Sequence, residues 1–445
     1  MEIDALLNEP KKSVIGLSIP MIISLLLTMV NNIADAMWVS GLGAEALAAI
    51  GIVTPLFIIT IGVGIGISSG VNSSIARFIG ADRFEDAGNS GVHGLILSVI
   101  ASIVIPAIII IFLEPILIAI GGANVLELAK SYGFWIMLGS FTIIVTNVFS
   151  GVYRSENKGT KATIPLAVSA ILNIILDPIF IYTFNMEVKG AAIATVLANL
   201  IGLLLFIYWT YLKNETLLDM RSYKRSSAIY KDIIGVGVPA SMEQILMSIF
   251  SMVINIILVW VATTTSVAVF TTVWRLVSIG IMIPVGIGTG AISVFGALYG
   301  ARRTQTIHEM FKYTHIIGFA GALIVGILTA VFSNQLAMLF GGAGLNKEIS
   351  EITIILSVYV VFSSLSIISG FIFQSFGKGS YSLGFTFLKQ IVLTLICIFL
   401  FIGLKDMGVY YGINLANIIG GIIEIIVLYF YVSRIDKYYP ETFHE

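Results

Sequence analysis

Residues 14–39 read VIGLSIPMIISLLLTMVNNIADAMWV. A helix of these 26 residues, rising 1.5 Å per residue, exceeds the ~30 Å hydrocarbon core of a bilayer. It is longer than the apolar region of a signal peptide and lacks a small-residue cleavage site, so it is expected as a retained first spanning helix. The same stretch carries Thr28, Asn31, Asn32, Asp35 and Trp38 at three- and four-residue steps, which places them on one helix face. An ionisable group within hydrocarbon costs at least ~2.5 kcal/mol, so Asp35 requires a partner, water or a task.

Eleven further stretches of this kind follow. The twelve spans are expected near Val14–Val39, Ala46–Ile75, Ser90–Leu113, Phe134–Tyr153, Thr163–Phe184, Ala191–Leu212, Ile233–Val261, Val267–Phe295, Tyr313–Phe332, Glu351–Phe373, Ser382–Leu404 and Val409–Val432. Continuous apolarity at these lengths specifies helices, because a membrane barrel would show ~10-residue alternating segments. The fold class is therefore an all-α polytopic membrane protein. Composition agrees: the 445 residues are 58% hydrophobic and 11% charged, with mean hydropathy +1.01, whereas soluble chains carry about a quarter charged residues. A net charge of −1 excludes a nucleic-acid binder built on a basic face. The lone Cys397 excludes a disulfide scaffold or a cysteine-built metal site. No phosphate-binding loop is present, since the glycine runs lie inside apolar spans without a Gly-Lys-Ser/Thr ending, and direct ATP drive is not expected.

Eighteen of the 24 Lys and Arg residues fall in segments on the N-terminal side of the spans, and only Lys130, Lys189, Lys347 and Lys405 on the other. The positive-inside rule then puts both termini in the cytoplasm of a multi-pass protein of the cell membrane.

The two halves repeat. A shift of 220 residues carries Gly66, Gly70, Ser73, Gly80 and Arg83 onto Gly286, Gly290, Ser293, Gly300 and Arg303, and a shift of 219 carries Pro20 onto Pro239. Six spans per half is an even number, so both copies enter the membrane in one sense, the parallel-repeat architecture of secondary transporters. The expected organisation is an N-lobe over 1–212, a cytoplasmic linker over 213–232 and a C-lobe over 233–445. Pro20 and Pro178 are expected hinges, because each removes a backbone donor inside a span.

Two more polar stripes accompany that of the first span: Ser169, Asn173 and Asp177 on the fifth, with Pro178 next, and Thr195 with Asn199 on the sixth. Three stripes in one half imply a wet pocket there. Carboxylates with amide and hydroxyl oxygens suit either a hard cation such as Na⁺ or a proton. A catalytic metal is not expected, since His93, His308, His315 and His444 all map elsewhere. At the 220 shift Asp35 becomes Asn255, Asn173 becomes Leu393 and Asp177 becomes Cys397, so the coupling chemistry should sit in the N-terminal half. Four other membrane charges read as structural ion pairs, Glu243 with Arg275 and Lys389 with Glu424, because each pair sits at matching depth.

These residues resemble the multidrug and toxic compound extrusion (MATE) family, in its prokaryotic branch that includes archaeal members. The resemblance covers the whole chain. It is carried by Leu17-Ser18-Ile19-Pro20, Asn32-Ile33-Ala34-Asp35, Trp38-Val39-Ser40-Gly41-Leu42-Gly43, Ala76-Arg77-Phe78-Ile79-Gly80, Gly190-Ala191-Ala192-Ile193-Ala194-Thr195 and, most specifically, Leu172-Asn173-Ile174-Ile175-Leu176-Asp177-Pro178. It implies two six-helix lobes around a V-shaped cleft and an antiporter, not an enzyme, with no catalytic residues and no cofactor. Such a protein expels small amphiphilic, often cationic compounds while Na⁺ or H⁺ enters. By motif match the cation site would be Asp35, Asn173, Asp177 and Thr195, with Trp38, Tyr132 and Asn147 lining or neighbouring the pocket alongside Asn31, Asn32 and Asn199. A monomer in the lipid bilayer is expected, with rocker-switch alternating access as its mechanism. The alternative is a flippase for lipid-linked oligosaccharides or other lipids from the same superfamily, whose cleft would be more cationic. An intramembrane aspartyl protease lacks its sequence context here, and a channel would need a polar path through both halves.

Overall fold

The computed structural model describes residues 2–340 and 344–439. Among them, twelve helices are long and apolar enough to cross a bilayer: Pro10–Ser40 (α1), Ala44–Gly80 (α2), Phe84–Ile111 (α3), Ala123–Ser155 (α4), Gly159–Thr183 (α5), Glu187–Leu212 (α6), Ser227–Val261 (α7), Thr265–Gly300 (α8), Thr304–Val331 (α9), Asn346–Ser375 (α10), Gly379–Leu400 (α11) and Asp406–Ser433 (α12). No strand occurs among the described residues. The helices outrun the expected spans at many ends, because their polar end turns are helical without being apolar. The clearest case is α7, which starts at Ser227, where the Ser226 hydroxyl accepts from the Ile229 N–H and caps it. The segment expected as linker is therefore partly the first turns of α7.

The helices form two lobes, α1–α6 and α7–α12, and the backbone repeats with the sequence. Left-handed residues recur at the 220 shift: Asp82 (φ 58°) with Arg302 (φ 52°), Asn157 (φ 63°) with Gly377 (φ 75°), and Asn185 (φ 52°) with Lys405 (φ 56°). Each pair marks the same turn in the two lobes. Asp82, Asn157, Asn185 and Gly377 are of types that accept this conformation readily, whereas Arg302 and Lys405 hold it because the turn joins two helices that the packing fixes.

The lobes meet along a seam in which α2 lies on α7 and α8 lies on α1. Glycines make the approach possible. A Cβ on Gly66 would stand 2.3 Å from the Gly237 carbonyl oxygen, and one on Gly70 2.3 Å from that of Ile233. Where α2 crosses α8 the arrangement is reciprocal. A Cβ on Gly80 would meet the Ala297 carbonyl oxygen at 1.9 Å, and one on Gly300 would meet that of Arg77 at 2.0 Å. Position 77 corresponds to 297 and position 80 to 300, so one contact is the repeat image of the other. All these contacts lie toward the membrane side that carries the described ends of the chain, the terminal side. Toward the other side Met37, Met252 and Trp260 remain 68%, 64% and 69% exposed. The buried apolar cluster at the terminal side draws on both lobes, whereas those toward the other side lie each within one lobe, so the lobes are closed on the terminal side and diverge on the opposite one.

Two prolines act differently. Pro20 sits within an unbroken α1. Pro178 ends the α-helical part of α5, which continues as a π-helical segment over Ile179–Thr183, as expected where a missing N–H breaks the hydrogen-bond ladder.

Candidate functional site

α5 and α6 pack side by side, with α1 across α5. Their three polar stripes meet as a consequence. The Asn173 amide on α5 donates to the Asp177 carboxylate at 3.0 Å and to the Thr195 hydroxyl on α6 at 3.3 Å. The Asn31 amide on α1 donates to Asp35 at 3.3 Å. The two carboxyl groups, Asp35 on α1 and Asp177 on α5, interact directly with each other. Both also act electrostatically on the Tyr132 phenol of α4. Asn173 and Asp177 are buried at 2% and 1% exposure, and Asp35 is half-buried.

The hydrogen bonds leave a specific deficit. Asp35 Oδ1, Asp177 Oδ2, Asn31 Oδ1 and Asn173 Oδ1 are buried with no donor. An unsatisfied buried polar group costs ~1–3 kcal/mol. Four acceptor oxygens in one pocket, two of them on carboxyls in contact, form a site that lacks positive charge. A deficit of this kind suits a proton or a monovalent cation.

The other expected pocket residues divide. Asn199 donates to the Thr195 carbonyl at 2.8 Å and steadies that turn of α6. Trp38 stands edge-on to Tyr182, with centroids 6.4 Å apart, and its carbonyl accepts from the Tyr182 hydroxyl. Tyr182 was not singled out in the sequence because it lies in the π-helical segment, where a 3.6-residue wheel misplaces it. Asn32 is exposed, on the neighbouring face of α1 from the one that carries Asn31 and Asp35. Asn147 lies away from the carboxyl pair, against α2. Its carbonyl accepts from Ser68 at 2.6 Å, and its side chain covers Gly64.

The expected ion pairs of the C-lobe are not formed as written. Arg275 is exposed on α8 and makes no ion pair among the described residues. Glu243 instead accepts from the Gln374 amide of α10 at 3.3 Å. Lys389 donates to the Ser366 hydroxyl, and it interacts electrostatically with both Glu243 and Glu424 without a salt bridge to either. Matching depth fixes position along the membrane normal but not which way a helix turns its side chains. Asn255, Leu393 and Cys397 hold the places corresponding to Asp35, Asn173 and Asp177, so the C-lobe does not reproduce the N-lobe pocket.

The MatE family model matches residues 20–179 and 239–400, one block in each lobe. The chain is 24% identical over 443 residues to the multidrug export protein MepA of Staphylococcus saprophyticus, covering 96% of this chain and 95% of that one. It superposes at a TM-score of 0.94 and 34% identity on a crystal structure of a MATE in the straight conformation, covering 96% and 97% of the two chains. A MOP superfamily transporter from Pyrococcus furiosus Vc1, described as having a binding pocket of reverse polarity and a suggested different function, matches at 0.91 and 34%, covering 95% and 96%. With a family model over both lobes and solved relatives along nearly its whole length, the chain belongs to the MatE family of multidrug efflux transporters, which are transporters rather than enzymes.

Proposed function

We propose that this transporter is a cation-coupled antiporter that exports small amphiphilic, often cationic compounds, with Na⁺ or H⁺ bound at Asp35, Asn173, Asp177 and Thr195 as the driving ion. The observation that supports this reading is the set of four donorless oxygens around the contacting carboxyls of Asp35 and Asp177. Two adjacent carboxylates cannot both stay ionised without positive charge between them. Loading the site draws α1 toward α5, and unloading it lets them part. The hydrogen-bond ladder of α1 lacks a donor at Pro20, where the helix can flex. Ion and substrate then exchange because each favours a different disposition of the lobes.

The unit is a single chain, with the N-lobe over 1–212 as coupling half, the basic terminal side in the cytoplasm, and the cleft open to the outside in the present state. A flippase is not favoured: the relative matched along nearly its full length is a multidrug export protein, and the N-lobe interior is acidic rather than cationic.

The test is efflux of a fluorescent cation from proteoliposomes under a Na⁺ gradient, a pH gradient and both, with Asp35→Asn and Asp177→Asn beside the parent. Loss of gradient-driven efflux in each variant is expected, and the gradient that drives the parent names the ion. Full gradient-driven efflux by both variants refutes the site.

A further inference from the structure

On the terminal side a cavity of about 640 Å³ opens at the junction of the lobes. The end of α2, the start of α3, the chain before α7, the end of α8 and the turn between α10 and α11 form its walls. Six basic side chains line it, Arg77, Arg83, Lys224, Arg225, Lys231 and Lys378, against three acidic ones. Each acid is already engaged: Asp232 with Arg77 at 2.8 Å, Asp86 with Arg83 at 2.7 Å and Glu85 with Lys224 at 2.6 Å. Arg225, Lys231 and Lys378 make no ion pair or side-chain hydrogen bond among the described residues. Three like charges thus face one concavity with nothing to balance them. Phe78 and Phe376 add an apolar wall.

The volume suits a small-molecule group. The cavity lies at the terminal-side ends of spanning helices. Basic pockets in such places recognise anionic headgroups through the same charges that take a free phosphate.

We propose that this cavity binds a phosphate-class anion, either a lipid headgroup or a free phosphate, and thereby holds the lobes closed on the terminal side. Arg77 and Arg83 belong to the N-lobe, whereas Lys231 and Lys378 belong to the C-lobe, so the anion bridges them. Its affinity depends on their convergence. When the lobes part the charges disperse and the anion is released, so it shifts the equilibrium by the difference between its affinities for the two states. The anion site shares no residue with the coupling-ion site, although both bias the disposition of the lobes.

The test reads conformation rather than transport, which separates its outcome from that of the coupling site. Thr160 and Ser380 are exposed on the terminal side of different lobes. Spin labels at Thr160→Cys and Ser380→Cys, in a Cys397→Ser background, report the interlobe distance. The full chain is measured in phosphatidylcholine nanodiscs, in nanodiscs with phosphatidylglycerol, and in phosphatidylcholine with inorganic phosphate against chloride at equal ionic strength. The closed fraction is expected to rise with phosphatidylglycerol, with phosphate, or with both. A rise with the lipid alone identifies a headgroup, and a rise with phosphate shows that the free anion suffices.

In Arg225→Gln/Lys231→Gln/Lys378→Gln the response should need about a hundredfold more anion, at roughly fivefold per basic residue near an anionic surface. Native mass spectrometry of retained phosphatidylglycerol gives a second reading that does not depend on the labels. No change with either anion, or an equal response in the triple variant, overturns the proposal.

Discussion

Alanine at Gly80 should open the terminal side. A Cβ there falls 1.9 Å from the Ala297 carbonyl oxygen, whereas real Cβ contacts essentially never come within 3.0 Å, so the two backbones must separate by about 1.1 Å. The obstacle is main chain within α8, and no rotamer can relieve it. α2 and α8 are each packed along their length, so the separation must come from the lobes themselves. Overpacking of this kind costs ~1–3 kcal/mol. That lowers the closed population relative to the open one by roughly 5- to 150-fold. Gly300→Ala makes the image contact, 2.0 Å from the Arg77 carbonyl oxygen, and should act alike. Because both substitutions strain one crossing, the double variant should show less than the sum. The labelled pair at positions 160 and 380 measures the effect as a shift toward longer distances. Gly384→Ala is the control, since its Cβ would meet nothing within 4 Å, and it should leave the distances unchanged while stabilising α11 by ~0.5–1 kcal/mol. Gly80→Ala and Gly300→Ala proteins that keep the closed distance of the parent would refute the claim that backbone contact at this seam defines the closed state.

Asn173→Leu removes the donor to Asp177 and Thr195; the repeat already carries Leu393 there, so folding should survive while ion-driven efflux falls at least tenfold, as a proteoliposome assay would show. Lys389→Met removes the donor to Ser366 and a cation that acts on Glu243 and Glu424 without bridging either, and should destabilise the protein by ~1–3 kcal/mol; equal unfolding midpoints in denaturant for parent and variant would contradict this. Glu156, in the turn between α4 and α5, is 1% exposed, and burial holds its carboxyl above the ordinary range despite Lys158 at 2.6 Å. A carboxyl raised in this way stabilises the fold at low pH, and the contribution is lost as pH rises from the ordinary value of 4.5 through the raised one. Glu156→Gln should therefore flatten the decline of the thermal midpoint over that window.

Much of this was legible in the residues. Twelve spans follow from apolar length alone, because a bilayer accepts almost nothing but helices. Asn31, Asp35, Asn173, Asp177 and Thr195 could be grouped because polar side chains at helical spacing mark a face, and faces of that kind in hydrocarbon must meet. What the residues conceal is rotation about each helix axis and the identity of its neighbour. Glu243 and Arg275 agree in depth yet point to different surroundings, and Asn32 sits one residue from Asn31 on the wrong side of a narrow boundary. The π-helical segment that brings Tyr182 to the Trp38 carbonyl changes the winding after Pro178, and no fixed period anticipates it. The contacts of Gly80 and Gly300 were visible only as matching positions, since close approach of two backbones leaves no side chain to announce it.

The chain between the lobes leaves little slack. Its Leu217 N–H is held by Glu156 at 2.8 Å, its Lys224 backbone is gripped at both N–H and carbonyl by Asn89, and its Ser226 N–H donates to His93 at 3.0 Å, so it is stitched to the N-lobe up to Ser226. Ser226 is also the residue whose hydroxyl caps α7. One residue thus ends the first lobe's stitching and begins the second lobe's first helix, with no free tether between. Such a joint resists translation and permits swivelling. Any relative turning of the two lobes must therefore be taken up at Ser226 and within the first turns of α7, not by slack in the chain between them.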